Sequence, residues 1–141
     1  MTINNTKKLK RALLILCGIS GVIAISLGAL GAHTLKEVLS LERLKSFETG
    51  SDYHIYHTIG LLILIALTDK LPEKTIKTIA WLWGLGIILF SGSIYLLATR
   101  EILEIESWVN FLGPITPLGG LCFIGGWATL IYAGFKQQKN D

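Results

Sequence analysis

The chain has 141 residues, of which 51% are hydrophobic and 16% charged, with a net charge of +3 and a mean hydropathy of +0.56. The charges gather at the ends and in three short connections, which excludes a water-soluble domain, where polar residues recur through every element at its period. Nucleic acid is excluded as the reason for the basic excess, because Lys7, Lys8, Lys10 and Arg11 abut the first apolar run, as at the cytoplasmic flank of a membrane segment.

Four apolar runs, about 12–32, 53–68, 78–99 and 114–135, predict four transmembrane helices in a single all-α membrane domain, an integral membrane four-helix bundle. A hydrocarbon core of about 30 Å takes roughly 20 helical residues. Basic residues precede the first run and Ala29-Leu30-Gly31 ends in small ones, as in a signal peptide. The run is nevertheless longer than a signal core of about 7–15 residues, so it reads as an uncleaved helix. Next, 34–52 mixes charge with Leu35, Val38, Leu39, Leu41, Leu44 and Phe47, several of them three or four apart. That stripe predicts a short interfacial helix between helices one and two, lying on the outer surface, with a polar loop as the alternative.

Run two is short, so it must start nearer Ser51 or tolerate a locally thinned bilayer. The connection 69–77, with Pro72, makes a tight antiparallel hairpin to helix three. The connection 100–113 carries Glu101, Glu104 and Glu106 and ends in Trp108 and Phe111, which suit an interfacial anchor. Pro114 and Pro117 are expected to open helix four, where missing amide hydrogens cost nothing.

Lys7, Lys8, Lys10, Arg11, Lys70, Lys74, Lys77, Lys136 and Lys139 fall on one side of this topology; Lys36, Arg43, Lys45 and Arg100 fall on the other. The positive-inside tendency then predicts that both termini are cytoplasmic. Cys17 and Cys122 differ in depth by about 10 Å, beyond disulfide reach, and read as unpaired small apolar residues.

Fifteen glycines suit helices that approach closely in lipid. Ser20, Ala24, Gly28 and Ala32 line one face of helix one. Gly84 and Gly92 do the same on helix three. On helix four Gly125, Thr129 and Ala133 form one row, and Cys122, Gly126 and Gly134 an adjoining one. These predict packing seams inside the bundle or a homo-oligomer contact.

The topology also gathers polar residues toward the outer side: His33; Glu48, Asp52, Tyr53, His54, Tyr56 and His57; Ser91, Ser93, Tyr95, Thr99 and Arg100; and Thr116. All three histidines of the chain are expected near one membrane face. Four readings follow. In the first, His33, His57, Arg100 and Tyr53 hydrogen-bond loop carbonyls and helix ends within a non-catalytic scaffold or accessory protein. In the second, the cluster binds or passes a small polar solute or lipid headgroup, with Arg100 pairing with Glu48, Asp52 or a phosphate. In the third, His33, His54 and His57 hold zinc or copper, although no H-E-x-x-H motif is present. The last is a hydrolase built on Ser91-Gly92-Ser93 and His57, which needs a nucleophile–base contact that spacing does not supply. The first reading is preferred, with no cofactor, no nucleic acid, and as partners the lipid bilayer and, alternatively, a second copy of the chain or another membrane protein.

The same stretches carry a resemblance. Gly28-Ala29-Leu30-Gly31-Ala32-His33, Phe47-Glu48-Thr49-Gly50 with Tyr53 and Tyr56-His57, Leu89-Phe90-Ser91-Gly92-Ser93-Ile94-Tyr95, and Thr116-Pro117-Leu118-Gly119-Gly120 with Gly126-Trp127 occur in order along nearly the whole chain. This set resembles the YgdD-like family of small bacterial inner-membrane proteins called domain of unknown function 423, itself similar to the eukaryotic transmembrane protein 256. The resemblance implies a four-span protein of the bacterial plasma membrane and supplies no reaction, cofactor or substrate. The chain departs from the family at His54, where members often carry glutamine.

Overall fold

The structure, a computed structural model, describes residues 3–137, with side chains from 5 to 136; Lys139, counted above for orientation, lies outside the described residues. Four long helices follow one another up and down: α1 (Ile3–His33), α2 (Leu41–Ala66), α3 (Glu73–Ala98) and α4 (Val109–Gln137). The stretches Asn5–Glu37, Glu73–Ala98 and Glu106–Lys136 are long and apolar enough to cross a membrane. The first half of α2 carries Glu42, Arg43, Lys45, Glu48 and Asp52, and this helix is not among them.

Two boundaries differ from expectation. The stretch 34–52 forms no separate interfacial helix. Leu35–Glu37 makes a single 3-10 turn, and from Leu41 the chain runs unbroken into α2. Ser40 starts it as an N-cap, its hydroxyl accepting the Arg43 amide at 3.4 Å. Most of the apolar stripe is occupied by protein: Leu35, Phe47 and Ala98 form a buried cluster joined by Leu27, Leu39, Leu44 and Tyr95, while Val38 and Leu41 stay exposed. In α4, Pro114 and Pro117 lie inside the helix, because a 3-10 turn at Glu106–Trp108 has already started it. Each proline lacks the amide that would bond the carbonyl four residues back, at Asn110 and Gly113.

Helix α1 lies along α2, α4 lies along α3, and α2 meets α3 both before the π turn at Ile87–Ser91, where Gly60 faces Trp83, and beyond it. The register of the first pair is fixed at both ends. Lys10 pairs with Asp69, and a Cβ at Gly31 would stand 3.1 Å from the Phe47 ring. Beyond the far end, Arg43 of α2 pairs with Glu101 in the connection after α3. Hydrogen bonding to Arg43, with the charge of Arg100 nearby, holds the Glu101 carboxyl below the usual carboxylate range. That tie is therefore present at neutral pH and is lost as pH falls through the lowered pKa.

Buried side chains form three layers along the bundle. Leu13, Cys17, Leu61, Leu64, Ile76, Ile79 and Trp83 belong to an apolar cluster toward the Lys10–Asp69 end. The Phe47 cluster closes the other end. Between them lie the buried polar residues His54, His57, Thr58, Ser91 and Ser93.

Lipid gives helices no hydrophobic reason to associate, so close packing must supply it. Here it does so largely by setting glycine against aromatic rings. A Cβ at Gly126 would overlap the Trp83 indole, and one at Gly119 would overlap the Phe90 backbone nitrogen. Among the other small residues expected at seams, Ala24 is buried, Gly28 faces Ser51 and Gly125 faces Leu82. Four depart from that expectation, among them Gly134, which is exposed with open space where a Cβ would stand. Ala32 is exposed, one position past the Gly31 contact. Gly84 has open space around it, because the buried face of α3 runs through Ile76, Ile79, Trp83 and Gly86. Gly92 meets only the Ile87 carbonyl of its own helix. Cys17 and Cys122 are both free thiols. Gly126→Ala should lower thermal stability in detergent by about 1–3 kcal/mol through overpacking, whereas Gly84→Ala should be neutral or slightly stabilising. Melting followed by circular dichroism distinguishes them, and equal effects would contradict the assignment of faces.

Candidate functional site

Because α2 begins at Leu41, His54 and His57 fall well inside it and not at its outer end. His54 lies beside Ser20, about 20 Å along α1 from His33 at about 1.5 Å per residue. The expected gathering of all three histidines at one face is thus corrected. His33 is exposed at the end of α1, and His54 and His57 face different neighbours in the middle layer. No group of three metal-ligating side chains converges among the described residues.

His54 is the centre of a hydrogen-bonded chain across three helices, and its proton order follows from the acceptors. Thr58 Oγ1 donates to the His54 carbonyl at 2.9 Å. Its proton being used, it must accept from Ser20 Oγ, 2.6 Å away. Ser20 in turn accepts from His54 Nε2 at 3.0 Å. His54 Nδ1 is left to accept the Tyr95 hydroxyl at 3.2 Å, and the phenol oxygen remains open to Ser51, its other side-chain partner. Ser20 and His54 stand at a nucleophile–base distance. Ser20 is nevertheless committed to Thr58, and His54 faces a phenol instead of a carboxylate, so the chain is closed.

His57 has the opposite tautomer. Its Nδ1 donates to the Tyr53 carbonyl at 2.8 Å, so its Nε2 accepts the Trp127 indole N–H at 3.3 Å. The imidazole stacks on Phe123, with centroids 3.6 Å apart and planes 10° off parallel, and meets the Trp83 ring edge-on at 5.8 Å. A proton on Nε2 would face Trp127, which only donates, so this contact requires neutral imidazole. Tyr53 extends the aromatic group to Phe90, at 4.8 Å between centroids.

The remaining expected residues divide. Ser93 and Thr116 join α3 to α4 through their hydroxyls at 2.7 Å. Ser91 is fully buried in the π turn, and its hydroxyl, like the Trp83 indole nitrogen, has no hydrogen-bond partner among the described residues. Neither Ser91 nor Ser93 hydrogen-bonds to His57, whose ring nitrogens are both taken. Arg100 donates to the Leu97 carbonyl at 2.7 Å and, with Arg43 and Thr116, lines a groove of about 500 Å³. Glu48 and Asp52 are exposed. Sequence reasoning missed Thr58 and Trp83, named Trp127 only within the family motif, and assigned Ser20 to packing alone. The available signals were the spacing of four from His54 to Thr58 and a hydroxyl in the small-residue row of α1.

An up-and-down helical bundle with a polar, aromatic middle layer, both of whose histidines are paired within the protein, defines a helical membrane protein. The chain belongs to the family described as protein of unknown function (DUF423), whose model matches residues 27–120. It is 39% identical over 127 residues to the UPF0382 membrane protein YwdK of Bacillus subtilis, covering 89% of this chain and 98% of that one. It is 37% identical over 131 residues to a UPF0382 membrane protein of Haemophilus influenzae, covering 93% and 99%. The UPF0382 inner membrane protein YgdD of Escherichia coli is 31% identical over 130 residues, covering 92% and 94%. No solved structure matches the chain.

Truncating His57 to alanine should cost about 2–4 kcal/mol, since it leaves the Trp127 N–H unpaired and a void beside Phe123. At position 54 an amide also donates and accepts, so His54→Gln should melt near wild type and His54→Leu well below it. Thermal unfolding in detergent checks both, and a His54→Gln protein as unstable as His54→Leu would contradict the donor–acceptor role.

Proposed function

We propose that this is a multipass protein of the bacterial plasma membrane, crossing four times with both termini cytoplasmic, and that it is a non-catalytic scaffold or accessory protein. The crossing of α2 is supported by its register: residues 47–69 lie alongside 10–31 of α1, so a slab holding the uncharged part of α1 also holds that part of α2. The relatives are named membrane proteins, one of them an inner membrane protein. The orientation rests on the Lys and Arg distribution.

One observation carries the scaffold reading. Both ring nitrogens of His54 and of His57 are committed to groups of the protein itself. A catalytic base keeps one nitrogen facing substrate; here the histidines hold helices together. Depth favours the same reading: α3 has no charged residue between Lys77 and Arg100, and the two ionisable groups at mid-depth, His54 and His57, are spent on bonds within the protein and form no continuous path along the span. A reporter that is active only in the cytoplasm should work when fused after Asp141 and fail when inserted in the 34–40 connection. The reverse pattern would invert the topology, and activity at both positions would remove the four-span reading.

A further inference from the structure

The groove at the far end of α2 and α3 holds two charges that are not neutralised by each other. Arg43 is taken by Glu101. Glu42 and Arg100 line the same groove, and neither forms an ion pair among the described residues. Arg100 stands near Glu101, whose carboxylate is held by Arg43, and commits one hydrogen bond to the Leu97 carbonyl out of the five N–H donors of a guanidinium. A separated cation and anion in one cleft form a dipole, and the complementary ligand is a zwitterion. Ile94, Leu97 and Ala98 give the groove one apolar wall, while Ser46, Thr49 and Thr116 place hydroxyl-bearing residues elsewhere in its lining, a mixture that suits the junction of a headgroup and an acyl chain. On the topology proposed above, the groove opens at the outer headgroup level.

We infer that it binds one phospholipid with an ammonium-bearing zwitterionic headgroup, of the phosphoethanolamine class. Its phosphate lies on Arg100, its ammonium on Glu42, and the start of a chain against Ile94 and Leu97. Arginine suits the phosphate because its planar fork bonds two oxygens together.

The test uses the purified full chain in detergent with short-chain phosphatidylethanolamine, short-chain phosphatidylglycerol and chain-free glycerophosphoethanolamine as probes, with binding read by native mass spectrometry. Phosphatidylethanolamine should bind more tightly than either of the others. Arg100→Gln and Glu42→Gln should each weaken it about tenfold, the loss of one charge-assisted contact, while Lys36→Gln, an exposed charge at the same end, leaves it unchanged. Glu42→Lys should turn the preference toward phosphatidylglycerol. Equal binding of phosphatidylglycerol by the unaltered chain would make this a plain anion site and overturn the proposal. Equal binding of the chain-free headgroup would make the ligand a soluble zwitterion and overturn it as well. So would insensitivity to substitution in variants that keep the wild-type helical spectrum. Detergent solution has no inside or outside, so a wrong orientation would show only in the reporter assay and a wrong ligand only here.

Discussion

A histidine inside an apolar bundle must find a donor and an acceptor, because a polar group left unpaired there is costly. Helix α2 meets that demand twice, on two flanks. His54 reaches Ser20 on α1 and Tyr95 on α3. His57 accepts from Trp127 on α4 and donates to the backbone of α2 itself. The two imidazoles thus hold opposite tautomers one turn apart, and between them they tie α2 to every other helix. That makes α2 the hub of the fold, although it is the least apolar of the four helices and the one weakest as a membrane segment.

Packing reinforces the same hub. Trp83 of α3 lies against Gly126 of α4 and Gly60 of α2, and its ring meets both His57 and Trp127. The glycines admit the indole where any Cβ would crowd it, so hydrogen bond and ring stack occur at the same level. Above and below, the buried side chains are almost wholly apolar. A polar layer enclosed this way gives each helix one preferred register, since sliding a helix by a turn would separate donors from acceptors across the interface.

The helical class and the number of helices were legible from long uncharged runs and short charged breaks. The start of α2 was not. Glu42, Arg43, Lys45, Glu48 and Asp52 interrupt hydropathy, yet they sit on the outside of a continuous helix whose Phe47 and Gly50 face inward. Charge pattern reports solvent contact and does not mark where a helix ends. That single shift moved His54 and His57 from the membrane boundary to the middle layer and separated them from His33. The small-residue rows were read by period, and Gly126 and Ala24 do face neighbours. Gly84 does not, since period fixes which residues share a face but not which face meets protein. The roles of Thr58 and Trp127 were not legible because they depend on contacts between residues far apart in the chain.

The His57–Trp127 bond holds α4 to α2, and a double-mutant cycle measures that tie. His57→Phe keeps a ring on Phe123 but removes both nitrogens, and Trp127→Phe keeps an aromatic ring but removes the N–H. Unfolding free energies of the two single variants and the double variant in detergent should be non-additive, with a coupling of about 1 kcal/mol, the typical net worth of such a bond. Strict additivity would mean that the imidazole and the indole are neighbours without being partners, and α2 would then lose its place as the hub.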